Sequence, residues 1–153
     1  MNEKWNWVWR FALVIVIVLF VAGFLGSTSL FKTTAAVPGK LTAASIVKFL
    51  AYSGALAILF FTAQRATLQL RAERTRAAFL AGFLVPLATF VIAASAHGVL
   101  LLVLKPFLGS DLRALYNWTF VAASLAAATW LVLSILQQSS RLEGLASKPV
   151  AGE

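Results

Sequence analysis

The chain of 153 residues contains no cysteine, one histidine and five acidic residues. The missing cysteine excludes disulfides, thiolate metal sites, iron–sulfur clusters and thiol catalysis. The acids stand at positions 3, 73, 111, 143 and 153, outside every long apolar run. A proton relay through the membrane needs titratable partners along its path, and that supply is absent. Paired carboxylates for general acid–base work are absent for the same reason. No GxGxxG, P-loop or HExxH pattern occurs. Ser124, His97 and Asp111 supply the residue types of a hydrolytic triad, but no nucleophile-elbow context surrounds the serine. Charge is scarce as a whole: 12% of residues are charged and 61% are hydrophobic. A soluble fold of this length could not cover so much apolar surface, so the composition specifies a membrane protein.

What the sequence does have is four long apolar runs. They predict an all-α integral membrane four-helix bundle, one transmembrane domain over 1–153, with spans near 8–26, 46–64, 79–104 and 117–136. A crossing helix needs about 20 residues. None of the runs alternates in the way a spanning strand must. The first run, FALVIVIVLFVAGFLG, has a basic start and small residues near Val21, Ala22 and Gly23. Its long core and the crowd of tryptophans before it favour a retained span over a cleaved leader. The third run is long and holds Pro86, which removes a backbone donor, so a kink in the preceding turn is expected. Between the spans, 27–45 reads as a polar loop with a Pro38-Gly39 turn. Either Thr42 or Ser45 is placed to cap the second helix. Residues 64–78 lack glycine and proline and should extend the second helix beyond its span. Residues 105–117 suggest a turn at Gly109-Ser110-Asp111 followed by a short capped helix. The polar tail 137–153 is expected to be flexible and cytoplasmic.

The net charge is +8, from 13 basic and five acidic residues. In a soluble chain that excess would suggest nucleic acid. Here it lies between apolar runs and reads as topogenic charge, with no nucleic-acid partner expected. An even number of spans puts both termini on one side. That side carries eight of the basic residues and the other carries five, and four of the eight fall in one short segment: Arg65, Arg71, Arg74 and Arg76. Both termini are therefore expected in the cytoplasm of a cell bounded by an inner membrane. The four arginines are candidates for contact with anionic lipid headgroups or an acidic partner. Trp5, Trp7, Trp9, Trp118 and Trp130 fit interfacial anchors. At i,i+2 spacing, the first three cannot share one helix face.

Small and polar residues should face other helices, and large aliphatics should face lipid. On the third span, Gly82, Pro86, Thr89, Ala93, Ala96 and His97 share one arc, with Leu84, Leu87, Val91 and Leu102 opposite. On the second, Ala51, Gly54, Ala55, Ile58 and Thr62 align. The fourth carries two small faces, one with Asn117, Ser124 and Ala128, the other with Ala123, Ala127 and Ser134, as if it packed on two neighbours or on a second protomer. In the first span the β-branched stretch 14–18 should face lipid, with Ala22 and Gly26 as its close-approach pair.

His97 is the candidate intramembrane polar site. Depth counting places Tyr52, Ser53 and Ser124 near it, with Thr89 on its own helix. The plainest role is a neutral imidazole bonded to Ser124, Tyr52 or a backbone carbonyl, holding helices together. A haem ligand would need a second histidine from another copy. No metal or cofactor is expected. These features favour a small non-enzymatic inner-membrane protein, a subunit or accessory of a larger assembly, with other membrane subunits or its own copies as partners. An oligomeric channel or carrier is the alternative, and a redox subunit using His97 stands behind it.

Overall fold

The computed structural model describes residues 5–72 and 80–146. Helix α1 covers Asn6–Ser27 and is followed by a short helix α2, Ser29–Thr33. Two short strands follow, β1 at Ala35–Val37 and β2 at Leu41–Thr42. Then come α3 at Ala43–Ala72, α4 at Ala81–Leu104 and α5 at Ser110–Ala146. Apart from the strand pair, the described chain is built of helices. Four of these helices are long and apolar enough to cross a membrane. They overlap the four expected spans and make the chain a multi-pass membrane protein. In hydrocarbon every backbone N–H and C=O must find its partner within the protein, and a helix does so within one segment. That constraint outweighs local preference in α1, where the run VIVIV would be a poor helix former in water.

Residues 27–45 hold more order than a polar loop. Strand β1 pairs antiparallel with β2, Val37 opposite Leu41. The Lys40 N–H donates to the Val37 carbonyl at 3.0 Å. Pro38 and Gly39 occupy the centre of this turn, and Gly39 has φ +69°. Proline first and a positive-φ glycine second are the requirements of a type II turn. Leu41 is buried and anchors the hairpin to the helices. Thr42 rather than Ser45 caps α3: its hydroxyl oxygen accepts the Ser45 N–H at 3.3 Å. At the far side of the same end, the Lys40 ammonium lies 5.2 Å from the ring centre of Phe107, in the link between α4 and α5.

Helix α5 is longer than the expected span. It takes in the short helix foreseen after Gly109, and it continues through Ala146, into the segment expected to be a flexible tail. No glycine or proline stands between 110 and 143 to stop it. Asp111 in its first turn complements the helix dipole. The extension of the second helix beyond its span is present as the last two turns of α3. Pro86 lies inside α4, which is continuous on both sides of it.

The long helices pack in chain order, α1 on α3, α3 on α4 and α4 on α5. The α3–α4 pair is central. One groove beside it is lined by α1, α3 and α4, and another by α3, α4 and α5, from opposite sides of the pair. The outer helices therefore flank opposite faces, and the bundle is open: α1 and α5 share no comparable interface. The chain runs back and forth between two ends. One, the N-terminal end, holds the start of α1 and the Arg65–Arg71 stretch of α3. The other holds the hairpin.

Alanine makes the contacts. Among the described residues the buried apolar ones are Ala22, Ala44, Ala55, Ala63, Ala66, Ala81, Ala88 and Ala127, joined by Leu41, Leu70, Pro86 and Gly26. Small side chains let helix backbones approach closely enough for dispersion contacts to hold them in lipid. The expected arc on α4 holds in part: Pro86 is buried and Gly82 lies against Gln138 of α5. The α3 side of α4, however, uses Ala81 and Ala88, which lie off that arc. The two small faces of α5 behave as one, directed at α4, with Ala127 buried and Ser124, Ala128 and Ser134 half-buried, while Ala123 is exposed. The α1 expectation holds in part: Val14, Val16 and Ile17 are exposed and Ala22 and Gly26 are buried, but Ile15 and Val18 are half-buried, with Ile15 turned toward α3. A side chain at Gly26 would run into the Lys48 stem, which crosses α1 there.

Ala22, at 2% exposure on α1, tests this packing against Val16, at 65%. Overpacking typically costs about 1–3 kcal/mol. Ala22→Phe should lower the unfolding free energy in mixed detergent–denaturant micelles by about that much, and Val16→Phe should leave it within about 0.5 kcal/mol.

Candidate functional site

Among the described residues, the side-chain hydrogen bonds between the long helices lie at the two ends of the bundle rather than along its depth. At the hairpin end, α4 presents His97 to α5. The imidazole Nε2 lies 3.1 Å from Asn117 Oδ1, so with Nε2 protonated it donates to the amide oxygen. The Tyr116 hydroxyl donates to the His97 carbonyl at 2.7 Å. The Tyr116 ring sits 5.2 Å from the imidazole and the Phe120 ring 5.4 Å from it, in an edge-to-face arrangement. Helical spacing explains the set. Tyr116 and Phe120 are four residues apart on the α4-facing side of α5, and Asn117 follows at its edge.

The sequence placed His97 with Ser124, Tyr52, Ser53 and Thr89, and the structure distributes those residues. Ser124 is half-buried on the α4 side of α5, nearly two turns beyond Asn117. Tyr52 lines a groove with Ile15 and Leu19 of α1 and Ser95 of α4. Ser53 and Thr89 line another, between α3 and α4. The Thr89 hydroxyl donates to the Val85 carbonyl of its own helix at 2.9 Å. His97 thus links α4 to α5 and leaves α3 aside. Among the described residues no group of three or more His, Cys, Asp or Glu is placed to hold a metal ion.

At the N-terminal end, α1 and α3 meet through Trp7. Its indole N–H donates to Gln69 Oε1 at 2.8 Å, and the Arg65 guanidinium lies 4.7 Å from the ring centre. Phe11 meets the same indole edge-on at 5.9 Å. Trp5 precedes α1 with φ −106° and ψ 2°, which frees it from helical spacing, and it stacks on Trp7 at 6.3 Å. Trp7 thus ties α1 to α3, with Trp5 stacked behind it. Trp9, Trp118 and Trp130 are exposed. Arg65 and Arg71 are exposed on α3. Arg74 and Arg76 lie outside the described residues.

Beside this cluster, across α3, is a groove of about 550 Å³ between α3, α4 and α5. Gln64, Thr67 and Arg71 come from α3, Gly82 and Pro86 from α4, and Trp130, Ser134 and Gln138 from α5. The Gln138 amide occupies the space where Gly82 would carry a side chain. Thr67 is buried and donates to the Ala63 carbonyl at 2.8 Å. The glutamines are the functional-site members that sequence reading passed over. Their signal was present: Gln64, Gln69 and Gln138 are uncharged polar residues just where apolar runs give way to basic ones.

The His97–Asn117 pair can be measured. A double-mutant cycle with His97→Ala and Asn117→Ala should give a coupling energy of about 0.6 kcal/mol, the usual scale for an interhelical bond in a bilayer. Tyr116→Phe, which keeps the rings and removes the bond to the His97 carbonyl, should cost about 1 kcal/mol in the same unfolding assay. A cycle with Ser124→Ala in place of Asn117→Ala should show no coupling. No family model matches the chain, and comparisons with curated proteins and with solved structures found no match.

Proposed function

We propose that this protein is a non-enzymatic subunit or accessory of a larger inner-membrane assembly, with both termini in the cytoplasm. The observation that carries this reading is the open packing of the long helices. Helices α1 and α5 each hold to the rest through one neighbour, and apolar grooves remain beside the central pair. One, lined by Leu59, Ala63, Leu84, Leu87 and others, measures about 740 Å³, and another about 440 Å³. A helix from another chain finds in such grooves the close approach that membrane association requires. The side-chain inventory points the same way, since the apolar runs hold one histidine and no carboxylate to pair with it.

A channel or carrier finds less support. The Thr62 and Thr89 hydroxyls donate to carbonyls of their own helices. His97 and Asn117 are turned toward each other at one end. No continuous polar face connects them.

The orientation follows from the eight-to-five division of basic residues between the two sides. Cysteines introduced singly at Ser29 and Ala72 and probed with an impermeant thiol reagent on intact cells should label at Ser29 alone. Cross-linking in native membranes, followed by purification through a tag on this chain, should recover defined partner subunits in fixed ratio. Recovery of this chain alone as a monomer would overturn the proposal.

A further inference from the structure

The groove between α3, α4 and α5 at the N-terminal end differs from the other grooves in chemistry. The 740 Å³ groove on the α1 side presents Thr62 among aliphatic and aromatic neighbours, and its walls suit hydrocarbon. The 550 Å³ groove combines both characters: Arg71, Gln64 and Gln138 on one hand, and Val85, Leu68 and Trp130 on the other. Its volume lies within the usual range for small-molecule sites, roughly 300–1,000 Å³. It opens sideways, because α3 and α5 do not close over α4 there. A molecule reaching it from the bilayer would not have to leave the membrane plane.

Its depth is fixed by the chain. Arg71 stands near the end of α3, Gly82 in the first turn of α4, and Gln138 just beyond the apolar run of α5. All three therefore lie at the boundary between hydrocarbon and headgroups. Gly82 and Gln138 act as a unit. The absent side chain of Gly82 is what allows the Gln138 amide to lie across α4 inside the groove. That leaves three amides, those of Gln64, Gln137 and Gln138, and a guanidinium around one opening, with an indole and aliphatic side chains below. An ion with a phosphate at one end and hydrocarbon at the other meets matching partners along the whole groove. Guanidinium–phosphate contacts are charge-assisted and often bidentate.

We propose that this groove binds one anionic phospholipid from the surrounding bilayer, with the phosphate held by Arg71, Gln64 and Gln138 and the glycerol and upper acyl chains against Val85, Leu68 and Trp130. The occupant is a lipid rather than a soluble anion, because the groove opens to the side and half its wall is apolar. The assignment is independent of the subunit role proposed above: a chain with no protein partner would still hold its lipid.

The test titrates the full-length protein, purified in mild detergent, with phosphatidylglycerol or phosphatidylcholine and counts bound lipid by native mass spectrometry. The expected result is a single tight phosphatidylglycerol site, about tenfold stronger than any for phosphatidylcholine. Arg71→Gln should weaken phosphatidylglycerol binding roughly fivefold, the effect of one basic contact at a membrane surface. Gln138→Ala should weaken it by a smaller factor, and Gly82→Ala, which expels the Gln138 amide, should match Gln138→Ala. Arg65→Gln, whose guanidinium lies on Trp7 away from the groove, should leave binding unchanged. Circular dichroism and elution volume confirm that each variant is folded. Equal affinity for the two lipids, or an Arg65→Gln effect as large as that of Arg71→Gln, overturns the proposal. So does displacement of the lipid by soluble glycerol 3-phosphate, which would make this an anion site.

Discussion

Close approach of helix backbones governs this molecule. In hydrocarbon no hydrophobic force drives one apolar helix against another, because lipid tails are as apolar as leucine. What remains is dispersion, which falls away steeply with distance, and the few hydrogen bonds that cross between helices. The chain meets this constraint with alanine. Most buried apolar residues are alanines, and many of the large aliphatic and aromatic side chains of α1 and α5, such as Phe20, Phe24, Leu125 and Leu133, are turned outward. A water-soluble bundle of the same length would bury leucine and phenylalanine instead. Polar bonds then add direction at the two ends: Trp7 to Gln69 between α1 and α3, and His97 to Asn117 between α4 and α5. The central α3–α4 contact is left to alanine packing at Ala63, Ala66, Ala81 and Ala88.

The spans were legible because a bilayer imposes length and composition, and both can be read from a string of residues. The lipid-facing side of α1 was legible for a related reason: its bulky β-branched residues and its single small pair at Ala22 and Gly26 leave one orientation. The α4 interface was less so. Glycine, proline and histidine attracted attention to one arc, and that arc does meet α5. Two further members of the arc, Thr89 and Ala96, turn toward α3, where they are joined by Ala81 and Ala88, and in a helix rich in alanine no single one stands out. The same difficulty hid the arrangement of the helices. Small residues say that a face packs, but not which helix packs on it, and on α5 members of both small faces meet α4 while Ala123 stays exposed.

The polar sites divide similarly. His97 was recognisable as an intramembrane polar group from its isolation in an apolar run. Its partners were not, since depth counting ranks Tyr52, Ser53 and Ser124 alike and carries no information on which helix stands beside α4. Asn117 was legible only as a member of the small face with Ser124 and Ala128. Its position at the edge of α5, next to Tyr116 and one turn before Phe120, is what builds a mixed polar and aromatic seat for the imidazole. The hairpin was half legible. Pro38-Gly39 named the turn, whereas the pairing of such short strands depends on Leu41 reaching a buried seat that local sequence does not announce.

An open row of helices has a consequence for cohesion. In a closed bundle each helix rests on two neighbours, and loss of one contact leaves the other. Here α1 depends on α3 alone and α5 on α4 alone, and each outer helix is held by a strip of small residues and a polar lock. The locks sit at opposite ends, Trp7 with Gln69 at the N-terminal end and His97 with Asn117 at the hairpin end. Each outer helix is therefore pinned at one end and held by packing at the other: α1 by Gly26 against the Lys48 stem, α5 by Gln138 across Gly82. Both of those unpinned ends rely on a glycine beneath a long polar side chain. A lysine stem or a glutamine can be displaced at little cost, so these ends are where the outer helices are easiest to move. One of them is the wall of the polar groove. Whatever fills that groove bridges α3 to α5, the contact the helices themselves do not make, and so supplies the second neighbour that an open arrangement withholds.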